Sequence, residues 1–205
     1  MDLNKTIKSN AAYFYKKIIK NERKVINNIS LIAFCIFYAA RKENHNAPIT
    51  IREITNVFQN FGHRVNPRLI LRDGLEYKKY LRFNNIPHKS EDYVNRLVNE
   101  VGNYKSLQKR LKRKGSTWNS KKYQILLLKK CHYIMKSLPN WQRGGRNPFI
   151  LTAAIIYLAD KLLAKEFNKK SILTQKIISQ ATQIAEYSIR DHYVNLLKPL
   201  FLKNV

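Results

Sequence analysis

Two stretches of the sequence are apolar on almost every side of a helix. They cover residues 29–40 and 149–159, and each begins next to a residue suited to a helix start. Asn28 precedes the first stretch, while Asn147 and Pro148 precede the second. Asn is a good N-cap, and Pro suits the first helical position, where a missing N–H costs nothing. Because a helix that is apolar all round is surrounded by other helices, the pattern predicts two buried core helices.

We expect these core helices near 28–41 and 147–164. A membrane span needs about 20 apolar residues, and charged residues follow each run too soon for that. Arg41 and Lys42 end the first run, and Asp160 and Lys161 end the second. The sequence therefore predicts helices in the core of a protein and no membrane-spanning segment.

Two short helices are predicted after the second core helix, in residues 174–197. Thr174 is a candidate cap for the first of them. The predicted inward positions are Ile177, Ile178 and Ala181 in the first helix and Ile189, Tyr193, Leu196 and Leu197 in the second. Polar residues occupy the first turn of the second helix, namely Tyr187, Ser188, Arg190 and Asp191. This pattern is typical of a helix-turn-helix, although a helical hairpin within an all-α core also explains it.

The same order of features recurs in the first half of the chain. Superposing Tyr38 on Tyr157, an offset of 119 residues, places the first core run on the second. The segment from Thr50 matches the segment from Thr174, and the Arg72–Asp73 pair matches Arg190–Asp191. Three matches in order indicate a duplication. The alternative is two unrelated buried helices, each followed by a helical hairpin.

Glycine, proline and alternating apolar positions are scarce, which argues against β-structure. The chain has only 6 Gly and 6 Pro. The predicted fold class is therefore all-α, built from two tandem repeats.

The charge of the chain points to a polyanionic partner. It carries 39 Lys and Arg against 13 Asp and Glu, a formal net charge of +26. Such self-repulsion favours nucleic acid as the partner, with a ribosomal or chromatin role and an anionic membrane surface as competing interpretations. Basic residues are densest where acids are missing, since residues 101–159 hold 13 Lys and Arg and no Asp or Glu.

Two segments of this acid-free stretch are candidate DNA contacts. A run of like charge is usually a solvated face or a loose arm, and that is the default expectation for 105–114. The candidate phosphate contacts there are Lys109, Arg110, Lys112, Arg113 and Lys114. Residues 139–146 are predicted to form a flexible basic approach to the second core helix, with Arg143 and Arg146 as candidates.

Catalytic and metal sites are not predicted. Cys35 and Cys131 lie alone within apolar runs, so we expect buried free thiols and no zinc site. The five histidines are scattered, and no phosphate-binding glycine loop or nucleophile motif is present. We therefore expect no enzyme, no cofactor and no small-molecule substrate. The N-terminus lacks the apolar region of a signal peptide, which favours an intracellular location.

Three segments of the sequence resemble the transcription factor IIB family and its archaeal counterpart, transcription factor B. Residues 90–102 read SEDYVNRLVNEVG, residues 147–163 read NPFILTAAIIYLADKLL, and the run from Thr174 reads TQ…IA-x-x-S-I-R-x-x-Y-x-x-L. The resemblance covers about residues 12–198 and is stronger from 90 onward. It implies two cyclin-like five-helix repeats, here residues 1–84 (shortened at the N-terminus) and 85–205.

The resemblance also implies a function at promoters. In that family the second helix-turn-helix reads a DNA element beside the TATA box, and the repeats hold the TATA-binding protein. By this likeness Tyr187 and Arg190 face base edges, while Ser188 and Gln175 contact phosphate. Arg72, at the equivalent place in the first repeat, would hold flanking DNA. An ion pair of Arg190 with Asp191 or Glu186 is the alternative.

Departures from the family pattern set further expectations. The zinc ribbon that docks RNA polymerase in this family is missing, as are the reader and linker segments. RNA polymerase is therefore a candidate partner, but we do not expect recruitment in the family's usual way. Met1 indicates a natural start, which favours a shortened relative acting at the site of transcription in an archaeal cell, a nucleus or a viral factory. Ala185 stands where the family often has a capping Thr, and Tyr187 replaces a smaller residue. The competing interpretations are a cyclin-like protein-interaction module and a regulatory relative that binds DNA without recruiting polymerase.

Overall fold

A computed structural model describes residues 3–22, 24–42, 49–81, 88–113 and 119–202. Within these ranges the chain forms helices and turns and no strand, so the predicted all-α class is confirmed. The chain divides into two compact units, Met1–Pro87 and His88–Val205. The predicted boundary after residue 84 falls in 82–87, outside the described residues. That each unit is a cyclin-like repeat stays a prediction.

The first unit packs around its second helix. Its helices are α1 (Lys5–Asn21), α2 (Asn28–Lys42), α3 (Ile51–Asn60) and α4 (Pro67–Tyr77), and a 3-10 turn follows at Lys78–Tyr80. Helix α2 contacts the other three and is buried along most of its length, as its sequence predicts. The fit against α4 is very close, because a Cβ at Gly74 would lie 2.0 Å from the Phe34 ring. Only glycine allows that approach.

Helix α1 corrects the prediction for its inward face. The helical spacing of apolar residues in 11–19 predicts that Ala12, Tyr15, Ile18 and Ile19 face inward. Instead the helix begins at Lys5, capped by Asn4, and buries Ile7, Ala11, Phe14 and Ile18. Apolar side chains occupy adjacent sides of this helix, so its sequence is compatible with more than one buried stripe. Contact with α2 selects the stripe that carries Phe14.

The second unit packs around α9, the other predicted core helix. Its helices are α5 (Ser90–Asn103), α6 (Lys105–Arg113), α7 (Ser120–Ser137), α8 (Asn140–Arg143), α9 (Pro148–Glu166), α10 (Gln175–Thr182), α11 (Glu186–His192) and α12 (Lys198–Phe201). A π-helical turn at Tyr193–Leu197 joins α11 to α12. Helix α9 contacts α5, α7, α10 and α11. Both predicted core helices are therefore confirmed, with ends within about two residues of those expected.

Serine is a common N-cap residue, so the sequence predicts that Ser90 caps the helix that follows, but α5 begins differently. Lys89 holds the cap position, and its backbone N–H donates to the Asp92 carboxylate at 2.7 Å. Ser90 is the first helical residue, and its carbonyl accepts from the Thr152 hydroxyl of α9 at 2.9 Å. The start of α5 is therefore tied to the core helix. At the other end α5 continues through Gly102 to Asn103.

Candidate nucleic-acid interface

The segment that leads into α10 is held by a buried carboxylate, Asp160 of α9. Only 1% of Asp160 is exposed. Its oxygens accept hydrogen bonds from the Tyr123 hydroxyl at 2.7 Å, the Leu173 backbone N–H at 2.8 Å, the Ile172 N–H and the Ser171 hydroxyl. A buried charge needs such donors to offset lost hydration. In the sequence Asp160 is only the charge that ends an apolar run, and its role in holding this segment is not apparent there.

Burial and the neighbouring carboxylate also act on Tyr123. Desolvation, followed by the charge and hydrogen bond of Asp160, raises the pKa of Tyr123 well above its ordinary value. The phenol therefore stays protonated and keeps donating to Asp160. Tyr123 thereby ties α7 to the segment 171–173.

The same segment is held from a second side by the basic helix α6. The Arg110 guanidinium donates to the Ile172 carbonyl at 3.0 Å. Leu107 and Leu111 of α6 are buried in the core of the unit, and Lys109 and Lys112 are exposed. The expectation of a loose arm is therefore wrong for 105–113, which forms a packed helix with a solvated basic side. The Arg113 side chain and Lys114 lie outside the described residues.

Helices α10 and α11 form the predicted pair joined by a tight turn. The Thr174 hydroxyl accepts from the Ile177 N–H at 3.3 Å and so caps α10, as expected. The helix ends at Gln183, whose φ of 57° is left-handed, and α11 begins three residues later. The predicted inward residues are buried, except that Ala181 is only half-buried. That this pair is a DNA-binding helix-turn-helix stays a prediction.

The first turn of α11 carries the residues predicted to read bases. Tyr187 is 75% exposed, and Arg190, one turn later, is exposed as well. The Arg190 Nε donates to the Gln175 side-chain oxygen at 3.3 Å. Asp191 instead accepts from the Asn195 amide at 2.7 Å and lies 3.7 Å from His192. In the described part of the chain Arg190 thus has an amide partner and no carboxylate partner.

The start of α11 is weakly capped, as expected. Ala185 takes the N-cap position with φ −60° and ψ 134°, and it makes no side-chain hydrogen bond to the helix. Ser188, also predicted to contact DNA, lies half-buried in the first turn. Its carbonyl contacts the His192 ring at 3.0 Å.

Arg72, the match of Arg190 in the first unit, has different surroundings. Its Nε and terminal nitrogen lie 3.0 and 2.9 Å from one oxygen of Asp73. Asp73 is almost completely buried, whereas the side chain of its match, Asp191, is half-exposed. The two Arg-Asp pairs therefore share a place in the sequence pattern and differ in their partners.

The basic segment before α9 is bound to its own unit. Arg143 forms an ion pair with Glu91, and the Arg146 Nε donates to the Gln142 carbonyl at 3.0 Å. Burial tends to raise the pKa of Glu91, but the hydrogen bond and charge of Arg143 bring it below the ordinary value. Trp141 on α8, which no sequence motif marked as a candidate contact, is 78% exposed. An aromatic residue in a short polar segment was the only available signal.

The predicted contacts thus fall into separate groups. The structure brings Gln175 and Arg190 together, with Tyr187 one turn away, and links α6 to this region through Arg110. Within the described ranges no three His, Cys, Asp or Glu side chains are grouped as a metal site requires. The helices described there lack the combined length and hydrophobicity needed to cross a bilayer.

Comparison with known proteins shows similarity to a transcription initiation factor. No protein-family model matches the chain. Over 197 residues the chain is 25% identical to transcription initiation factor IIB 1 of Thermoplasma volcanium. The alignment covers 96% of this chain and 53% of the relative, so the chain spans about half the length of the curated protein it matches. The resemblance to the transcription factor IIB family, first indicated by three motifs, is thereby confirmed over nearly the whole chain.

Proposed function

We propose that this protein is a DNA-binding transcription initiation factor of the transcription factor IIB type. It would bind promoter DNA beside the TATA box together with the TATA-binding protein. We propose no enzymatic activity for it. Similarity to a named initiation factor supports the general role. The net charge of +26 supports a polyanionic partner.

The single observation that carries DNA binding is the exposed first turn of α11. The positive charge of Arg190 is uncompensated there, because its observed partner is the neutral Gln175 amide. A guanidinium of this kind can pair with both acceptors of a guanine in the major groove. The order of two short helices, with such a residue in the first turn of the second, supports a helix-turn-helix reader.

The test is a selection of bound sequences from random duplex DNA, with and without TATA-binding protein. We expect one preferred sequence and binding that weakens steeply with salt, because bound Lys and Arg displace counterions. Arg190→Ala should weaken binding to the preferred duplex by roughly 1–3 kcal/mol and to a scrambled duplex only slightly. Lys176→Ala, on an exposed neighbour in α10, is the matched control and should affect both duplexes alike.

Two outcomes would contradict the proposal. Equal losses of Arg190→Ala on both duplexes would reduce Arg190 to a phosphate contact. Failure of every duplex to bind in a salt-dependent way would favour the alternative of a cyclin-like module that binds another protein.

A further inference from the structure

We propose that Gln175 is a positioning residue that presents the Arg190 guanidinium to guanine. The inference rests on the proposed DNA-binding function and adds to it a residue that sets specificity. It changes the expected role of Gln175, which the family resemblance implied to be a phosphate contact. The observation behind it is the hydrogen bond from the Arg190 Nε to the Gln175 Oε1, at 3.3 Å across the turn between α10 and α11.

The chemistry of the two side chains sets the geometry of the contact. Arginine offers only donors, so the Gln175 carbonyl oxygen, and not its NH₂ group, faces Arg190. The contact occupies Nε and leaves the two terminal nitrogens, which have no protein partner in the part of the chain that the structure describes. Those two nitrogens are a suitable pair of donors for guanine O6 and N7.

An amide partner orients Arg190 without neutralising it. Arginine has many rotamers, and a contact formed before DNA binding reduces the freedom that is lost on binding. A carboxylate would orient the side chain too, but it would also cancel its charge and repel phosphates. Gln175 therefore orients Arg190 without the loss of DNA affinity that Asp or Glu at this position would cause.

The support for Gln175 extends into the core. It is the first residue of α10, directly after the cap Thr174. The preceding residues Ile172 and Leu173 are held by Asp160, and Ile172 also by Arg110. The amide thus projects from a backbone that is fixed from two sides.

The first unit provides an internal comparison. There Thr50 matches Thr174, but the next residue is Ile51, which offers no amide. Arg72 is instead bound by the buried Asp73 through two of its nitrogens. Its charge is compensated and its Nε is bound to a carboxylate. The same Arg-Asp pair therefore lacks the arrangement that presents Arg190.

The test measures how well the protein discriminates between two duplexes that differ only in the N7 acceptor of their guanines. One is the duplex enriched by selection, and the other carries 7-deazaguanine in place of its guanines, which removes N7 and leaves the phosphates unchanged. We expect the wild-type protein to prefer the first by roughly tenfold. Gln175→Leu should reduce that ratio by about threefold, and it should have no further effect in an Arg190→Ala background.

Two further variants separate positioning from folding. Gln180→Leu removes another amide of α10, one bonded to Tyr104, and should keep the wild-type ratio. Gln175→Glu keeps an acceptor for Arg190, so it should retain most of the discrimination while lowering affinity for both duplexes. Thermal unfolding of each variant checks that the fold is intact.

The outcomes distinguish this inference from the proposed function. If the wild type discriminates and Gln175→Leu discriminates equally well, Gln175 has no positioning role although the protein reads DNA. A loss of discrimination in Gln180→Leu equal to that in Gln175→Leu would also overturn the inference. If the wild type binds no duplex preferentially, the proposed function fails and this inference fails with it.

Discussion

The partners of individual polar side chains decide the roles of those side chains in this basic protein. Asp160 accepts from two hydroxyls and two backbone N–H groups, so its charge holds a loop. Asp73 is equally buried, but its partner is the exposed Arg72. Within the described ranges Arg190 has an amide partner and no carboxylate partner, so its charge stays uncompensated. The charge of Arg72 is therefore compensated by a carboxylate, whereas Arg190 is a candidate DNA contact.

The Tyr123–Asp160 contact makes a prediction about stability. Tyr123→Phe removes one hydrogen bond to a buried charge, so the free energy of unfolding should fall by about 1.5–3 kcal/mol. Urea denaturation measures it. Tyr133→Phe, on an exposed tyrosine of the same helix, is the control and should change little. An unchanged midpoint for Tyr123→Phe would mean that the remaining donors satisfy Asp160.

Because both cysteines are buried, we expect their thiols to react slowly in the folded protein. Burial raises the pKa of Cys35 from 9.0 to about 12, and burial raises the pKa of Cys131 further. Because the thiolate is the reactive form, both thiols should stay protonated and unreactive at pH 8. A disulfide reagent should react slowly with the native protein and with two thiols after unfolding in guanidinium. Rapid reaction of one native thiol would contradict the described burial.

Short helices in the second unit depend on their ends and on neighbouring helices. Helix α6 is a basic helix that two buried leucines hold to the core. Helix α10 has a threonine cap, and α11 begins at an alanine that caps nothing. The π-helical turn after α11 lies just before Pro199, which has no N–H to donate to the carbonyl four residues earlier.

The missing cap of α11 predicts a stabilising substitution. Ala185→Ser should raise the free energy of unfolding by about 1 kcal/mol, because a serine oxygen can accept from a free N–H of the first turn. The backbone at Ala185 already has an extended conformation that suits a cap. Chemical denaturation gives the change. Ala12→Ser, in the exposed middle of α1, is the comparison and should lower stability slightly.

The charge of the whole chain is distributed over both units, and the acid-free stretch lies in the second. This stretch includes α6 and α7 and reaches into α9, so a large part of that unit has no acidic residue to compensate its lysines and arginines. Such a surface attracts a polyanion at long range, whichever residues make the specific contacts.

The exposed lysines of α6 test whether that surface meets DNA. Lys109→Gln with Lys112→Gln should lower affinity for all duplexes alike and reduce the slope of log K against log salt by roughly 2, near 0.9 for each lost phosphate contact. Arg110 is left unchanged, since it holds Ile172. Lys16→Gln with Lys20→Gln removes the same charge from α1. An equal change in slope for both pairs would mean that overall charge, and not α6, is responsible.

Local patterns were sufficient to predict much of this fold. Both core helices, the Thr174 cap and the inward residues of α10 and α11 other than Ala181 follow from periodicity and capping. These features depend on residues within one or two turns of each other, which a sequence displays directly. The weak start of α11 was indicated by the family resemblance.

The partners of individual side chains required the tertiary structure. Asp160 meets Tyr123 and Leu173, Arg110 meets Ile172, and Arg190 meets Gln175, over separations of 13 to 62 residues. No local pattern encodes these distances, because a charge that ends an apolar run looks the same whether it faces solvent or a buried loop. The choice among the apolar stripes of α1 was likewise made by its packing against α2. Sequence periodicity thus predicts which helices form, and packing between them decides which polar groups are buried, bonded or left free to bind.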